Sequence, residues 1–333
     1  MVTTAVMGAG SWGTAFSIVV ADAGNEVRLW GRREELCEAI NRTHENPDYL
    51  PGIRLPETVV ASHDDAEILR DAQVVVLAVP SQQLRENLTR WAPMLRDDAV
   101  LVSLMKGVEL GTHKRMTEVI AEITGAGPER IAVVTGPNLA KEIARREPAA
   151  SVVACEDAGV AGFLQKWCHT ESFRPYTNTD VIGSELSGAT KNVIALAVGV
   201  CDGLGYGDNS KASVITRGLA ETTRLGVRMG ADPMTFAGLA GLGDLVATCS
   251  SPLSRNRTFG QKLGEGMSAA QVAEQTRQVA EGAKSCTSIA ELASLHGVDM
   301  PIVEHVRTLV NDEMTPAELV AALISREAKP EIR

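Results

Sequence analysis

Three stretches of the 333-residue chain have residue types and spacings suited to chemistry. In the first, Lys191 stands inside Ser184-Glu185-Leu186-Ser187-Gly188-Ala189-Thr190-Lys191-Asn192-Val193-Ile194-Ala195-Leu196-Ala197-Val198, where nearly everything else is small or apolar. At helical spacing Ser184, Ser187 and Lys191 share a face, while Val193, Ile194 and Ala197 pack away from it. Such a lysine either lines a polar cleft, where desolvation lowers its pKa toward a value useful for proton transfer, or snorkels out at the helix edge. In the second stretch, Gly238 to Thr248, Asp244 is a single carboxylate among glycines and apolar residues. It needs a partner, which Lys191 can be, or it caps a helix. The third is Ser250-Ser251-Pro252-Leu253-Ser254-Arg255-Asn256-Arg257. Arginine beside Ser and Asn donors suits a phosphate monoester; the alternative is a solvated basic loop.

A fourth signal concerns a second ligand. Thr4-Ala5-Val6-Met7-Gly8-Ala9-Gly10-Ser11-Trp12-Gly13-Thr14-Ala15 reads as strand, tight turn and helix start. Gly8 permits the turn, Gly10 leaves room for a pyrophosphate, and Gly13 lets helix and strand pack closely. The free amides and partial positive charge of the helix N-terminus would hold the phosphates. After the second strand, where an NAD site places Asp or Glu on the ribose, the chain has Gly31-Arg32-Arg33. Two guanidiniums favour the 2′-phosphate of NADP(H), although arginine stacked on adenine accepts NAD(H) as well; otherwise the pair is solvated and opens the next helix. Lys106 and the segment Gly136-Pro137-Asn138 each follow a strand, where open α/β sheets bind ligands, with a solvated lysine as the alternative at 106.

The elements that must position these residues change character along the chain. Apolar runs at 4–7, 26–30, 59–62, 74–79, 100–104, 131–135, 151–154 and 172–176 predict strands, with helices between them, including 112–123. Residues 43–58 are Pro-rich and without period, which predicts a loop. The alternation implies an α/β architecture with a doubly wound parallel sheet over residues 1–180. Residues 181–333 read as helices only, among them 183–201, a single helix over 232–248 and one at 282–296, so the active site is expected in the cleft between the halves.

Composition narrows the partners. With 44% hydrophobic residues, a formal charge of −10 and a pI near 5.2, the chain reads as a soluble globular protein whose main ligand is neither nucleic acid nor a membrane surface. No run of about eighteen apolar residues and no charged leader appear, which predicts no membrane insertion and a cytoplasmic location. The six cysteines lack C-x-x-C spacing and are expected as reduced thiols in the core. Cys168-His169 lacks the further ligands that a metal site needs, so no metal is expected.

Taken in order, residues 8–15, Trp30-Gly31-Arg32, Lys106-Gly107, Gly136-Pro137-Asn138-Leu139-Ala140-Lys141-Glu142, Lys191-Asn192, Gly241-Leu242-Gly243-Asp244 and Ser254-Arg255-Asn256 resemble the bacterial-type NAD(P)-dependent glycerol-3-phosphate dehydrogenases almost end to end. The resemblance implies a Rossmann domain joined to a helical domain like that of 6-phosphogluconate dehydrogenase. It implies interconversion of glycerol 3-phosphate and dihydroxyacetone phosphate, supplying phospholipid synthesis. A homodimer is expected from the apolar faces that such a helical domain offers. It further implies Lys191 as the proton-transferring residue, with catalytic Asp244 expected to orient and charge it. By the same resemblance Ser11, Trp12, Arg32, Arg33, Lys106, Ala140, Arg255, Val279 and Glu281 contact the cofactor. Lys106, Gly136, Asn138, Lys191, Asp244, Ser254, Arg255 and Asn256 contact the substrate. The chain departs from the family at Asn138-Leu139, where Ser or Thr followed by Phe is common; Asn keeps a donor and an acceptor but is longer.

Overall fold

In the computed structural model, which describes residues 1–275 and 280–324, the apolar runs become strands whose alternate residues serve two cores. The strands are β1 (Thr3–Met7), β2 (Glu26–Trp30), β3 (Glu45–Asn46), β4 (Leu50–Arg54), β5 (Val59–Ser62), β6 (Val74–Leu77), β7 (Val100–Ser103), β8 (Ile131–Thr135), β9 (Ala149–Cys155) and β10 (Phe173–Asn178). Val6, Val74 and Val76 pack into one core, while Ala5, Met7, Val75 and Leu77 pack into the other. A strand buried on both faces has no polar side, which is why these segments are continuously apolar.

The large sheet runs β10-β9-β8-β7-β6-β1-β2-β5. Its order reverses between β1 and β6, the crevice where doubly wound sheets receive ligands at the carboxyl ends of their strands. All pairings in it are parallel except β8 with β9, which is antiparallel and corrects the expectation of a wholly parallel sheet. The helix between them, Ala140–Ala144, has five residues. At roughly 7.5 Å it is too short to carry the chain back along a strand of about 16 Å.

Three local expectations also change. Residues 43–58 contain the hairpin β3–β4 rather than a plain loop. A polar side chain holds it: buried Asn46 donates to the Ala9 carbonyl and to Thr14 Oγ1, both at 2.9 Å, so the hairpin carries little apolar period. The helix expected from 112 starts at Met116, because Gly111 and His113 adopt left-handed φ of 80° and 58°. The helix expected over 232–248 divides into Pro233–Ala237, a π-helical turn Leu239–Gly243 and Asp244–Ser250. Gly238 is extended there, and a Cβ on Gly241 would lie 2.1 Å from the Phe236 carbonyl oxygen. The turn therefore needs the glycines that the sequence supplies.

From Val181 onward the described residues form helices only, packed around the almost wholly buried helix Val181–Gly203. Helix Arg255–Gly264 crosses it at backbone contact: a Cβ on Gly260 would lie 1.9 Å from the Leu196 carbonyl oxygen, and one on Gly199 would lie 2.0 Å from that of Arg257. The crossing sets the start of the second helix, with Ser254, Arg255 and Asn256, against the helix of Lys191. Gly260→Ala is therefore expected to destabilise the fold by about 1–3 kcal/mol, read as a lowered urea midpoint; an unchanged midpoint would show that the helices have room to spare. The six cysteines are all unpaired and buried. Burial pushes the Cys168 thiol up to about 12, which makes it a poor nucleophile.

Candidate active site

The carboxyl ends of β1, β2, β6, β7 and β8 place the first group of candidate residues. Gly8, just beyond β1, has φ 143°, and a Cβ there would lie 2.5 Å from the Ala78 carbonyl oxygen beyond β6. A Cβ on Gly13 would lie 2.0 Å from the Gly8 carbonyl oxygen, whereas one on Gly10 meets nothing within 4 Å. Two glycines thus serve close packing and the middle one opens a bare cradle at the N-terminus of helix Ser11–Asp22, whose cap offers no side-chain acceptor. Beside it the Trp12 indole N–H is buried without a partner, and Ser11 Oγ donates to the Tyr49 carbonyl at 3.1 Å. The free amides of the helix start and the unpartnered indole N–H fit a dinucleotide pyrophosphate.

The two arginines past β2 differ. Arg32 is exposed and makes no hydrogen bond or ion pair among the described residues, whereas Arg33 is paired with Asp48 of the hairpin. One guanidinium, not two, is therefore free for a ribose phosphate. Val279 lies outside the described residues.

The second group converges on Asp244, which is 1% exposed. Its Oδ1 accepts from Lys191 Nζ at 2.5 Å, and its Oδ2 accepts from Lys106 Nζ at 2.7 Å. Lys191 Nζ also donates to Thr248 Oγ1 at 2.7 Å, and Lys106 Nζ donates to the Gly136 carbonyl at 3.3 Å. Sequence reasoning missed Thr248, whose signal is its place one helical turn after Asp244. Burial pushes Lys191 down to about 8, assisted by the Lys106 ammonium and opposed by Asp244. Burial works against the Asp244 carboxylate, but the two ammoniums outweigh it and hold the group below the usual carboxylate range. Two cations on one buried anion leave net positive charge where an oxygen becoming negative can be stabilised.

Around this cluster stand the remaining candidates. Asn138 Nδ2 donates to Ser151 Oγ at 3.0 Å, and its Oδ1 is buried without a partner. Ala140 opens the short helix that follows. Ser254 caps helix Arg255–Gly264 by accepting from the Arg257 N–H at 3.3 Å, which leaves its O–H free to donate. Asn256 Oδ1 is taken by the Gly282 N–H at 2.9 Å, so its NH₂ is the group available to an anion. Arg255 is exposed and has no hydrogen bond or ion pair among the described residues, while Arg257, the other guanidinium of the loop, is bound to Asp202 at 2.7 Å. Half-buried Glu281 has its pKa raised by burial against the pull of Arg255, Lys106, Lys191 and Lys284, so it stands near both the guanidinium and the two lysines.

A nucleotide cradle and a lysine–aspartate–lysine cluster thus meet at one end of the sheet. The N-terminal model of the NAD-dependent glycerol-3-phosphate dehydrogenases matches residues 3–161, and the C-terminal one matches residues 180–321. The chain belongs to this family. A glycerol-3-phosphate dehydrogenase [NAD(P)+] of Streptomyces griseus is 65% identical over 332 residues, covering 100% of this chain and 99% of the relative. One from Streptomyces coelicolor is 64% identical with the same coverage. The crystal structure of glycerol-3-phosphate dehydrogenase from Coxiella burnetii superposes with a TM-score of 0.93 at 37% identity, covering 97% of this chain and 98% of the other. The family explains why a dinucleotide cradle and a buried lysine occur in one chain.

Proposed function

We propose that the protein interconverts dihydroxyacetone phosphate and sn-glycerol 3-phosphate with NAD(P)(H), with Lys191 moving the proton. The observation that carries this reading is the Lys191–Asp244–Lys106 cluster at the mouth of the glycine cradle. When bound, the nicotinamide supplies or receives the hydride at the carbinol carbon. Gly8 and Gly13 shape the turn, Gly10, Ser11 and Trp12 border the pyrophosphate, and Arg32 reads the 2′-phosphate, with Arg33 available only on leaving Asp48. Lys106, Ala140, Arg255, Val279 and Glu281 complete the cofactor contacts. In the reducing direction Lys191 Nζ, as ammonium, donates a proton to the ketone oxygen as charge develops there. Asp244 and Thr248 take two of its three N–H groups, which aims the third at the substrate. In the oxidising direction the neutral amine removes the hydroxyl proton.

Ser254, Arg255 and Asn256 anchor the phosphate, while Lys106, Gly136 and Asn138 fix the carbon chain. Binding the unreacting phosphate aligns the carbonyl. Arg255→Ala is expected to raise KM for dihydroxyacetone phosphate roughly 10- to 100-fold, whereas Arg257→Ala, whose guanidinium already serves Asp202, should change it far less. Equal effects in steady-state assays would remove the distinction between the two arginines.

We place the division between the halves at residues 180 and 181, the protein in the cytoplasm and its product at the service of phospholipid synthesis. Among the described residues no helix is long and apolar enough to cross a membrane. A homodimer would cover exposed Met234, Leu242, Val246 and Leu253, all more than a third exposed. The test of the reaction is NADPH absorbance after adding dihydroxyacetone phosphate, with NADH in parallel. Faster loss of NADPH than NADH, with glycerol 3-phosphate formed, is expected. Equal rates would discard the NADP preference, and turnover only of a keto acid would replace the substrate.

A further inference from the structure

The helix that carries Lys191 is fastened to the sheet half at a point the chemistry above does not use. Glu185 lies six residues before Lys191 on helix Val181–Gly203 and is 2% exposed. Both of its oxygens are occupied from the other half of the molecule. Oε1 accepts from the Thr117 N–H at 2.9 Å, and Oε2 accepts from Thr117 Oγ1 at 2.7 Å and from Arg115 Nη1 at 3.0 Å. Thr117 is in the first turn of helix Met116–Thr124, so the carboxylate satisfies an amide that the helix itself cannot.

A buried ion pair is a poor way to gain stability, because the desolvation cost consumes much of the attraction. What this one secures is a place. The chain from Lys106 to Arg115 closes on itself: Val108 and Arg115 form a bridge, and the Glu109 N–H donates to the Lys114 carbonyl at 2.9 Å. Val108 is fully buried in the helical core with Leu186, Ala189 and Val193. The Lys106 stem runs close to Gly188, where a Cβ would lie 3.4 Å from Lys106 Cγ. Glu185, Gly188 and Lys191 therefore make a stripe at three-residue spacing that meets, in turn, the Arg115–Thr117 corner, the Lys106 stem and the shared carboxylate Asp244.

We infer that Glu185 is a positioning residue of the reaction, holding Arg115 and Thr117 so that the Lys106 segment docks in register and sets the Lys106 ammonium beside Asp244 and Lys191. This rests on the proposed dihydroxyacetone phosphate reduction. Without the clamp Lys106 withdraws, Asp244 serves Lys191 alone, and the lysine holds its proton more tightly.

The experiment measures kcat and KM for dihydroxyacetone phosphate from pH 6 to 10, and the Kd of NADPH, for the wild-type protein, Glu185→Gln and Thr117→Val. Glu185→Gln is expected to lower kcat about 10- to 100-fold, with NADPH affinity within about twofold of wild type. Its alkaline limb of kcat/KM should move upward by about half a pH unit or more. Thr117→Val, which removes one hydroxyl and keeps the amide, should act in the same direction at a few-fold size. Unmoved limbs in both variants, or a loss of turnover that only parallels a loss of NADPH binding, overturn the inference. If Glu185→Gln does not fold, the limb of Thr117→Val decides alone. Absence of turnover in the wild-type protein overturns the functional reading instead.

Discussion

Replacing Lys191 with alanine is expected to lower kcat for dihydroxyacetone phosphate reduction by about 10²- to 10⁴-fold while leaving NADPH affinity nearly unchanged. The two effects separate because Lys191 bonds Asp244 and Thr248, whereas the cofactor cradle is built from the glycine turn and Trp12. The substitution should also be tolerated by the fold. Asp244 keeps Lys106 as a partner at 2.7 Å, so no carboxylate is left buried alone. Steady-state kinetics and a fluorescence titration with NADPH check both halves of the expectation. Retained turnover would remove the lysine from the chemistry, and lost NADPH binding would make its role structural.

The second large effect is expected at Asp244→Asn. The carboxylate is the common partner of two ammoniums, and its loss leaves both cations with an amide in its place. Removing one partner of a buried pair costs roughly 3–5 kcal/mol, so thermal unfolding should move down clearly. Activity should fall by about 10²-fold or more, for a different reason than in the lysine variant. Asp244 opposes the effect of burial on Lys191, so without it the lysine pKa drops below about 8 and less of the protonated donor remains at neutral pH. The alkaline limb of kcat/KM should therefore shift to lower pH. A shift upward, or an unmoved limb with full activity, would show that Asp244 does not charge the lysine.

Much of this site was legible in the sequence, for reasons that can be named. The glycines at 8, 10 and 13 are legible because each meets a different steric demand, and Lys191 stands out because a lysine among small apolar residues needs an explanation. The pairing of Lys191 with Asp244 follows from the same demand that a buried charge be matched. The third member of the cluster is harder to read: Lys106 lies 138 residues before Asp244, and nothing local announces their contact. Paired and free arginines look alike in sequence, so the structure was needed to separate Arg33 and Arg257, each held by an aspartate, from Arg32 and Arg255. The hairpin over the glycine turn was illegible because a single buried asparagine, Asn46, holds it down rather than an apolar period. The break in the 232–248 helix could have been anticipated from Gly238, Gly241 and Gly243, whose freedom the backbone uses there. The antiparallel β9 depends on how far a five-residue helix reaches, a length that periodicity alone does not fix.

The proton-transfer role of Lys191 is tested most directly by the pH dependence of kcat/KM measured in both directions on the wild-type protein and on Asp244→Asn. Reduction of dihydroxyacetone phosphate needs the ammonium and should fall as pH rises through about 8; oxidation of glycerol 3-phosphate needs the neutral amine and should rise through the same value. The ratio of the two must change with pH because the reaction itself consumes a proton, so the informative feature is the shared inflection. An inflection near pH 8 in both profiles that Asp244→Asn moves downward is the expected result. Profiles with no inflection between about pH 7 and 9 would contradict the assignment of Lys191 as the proton-transferring group.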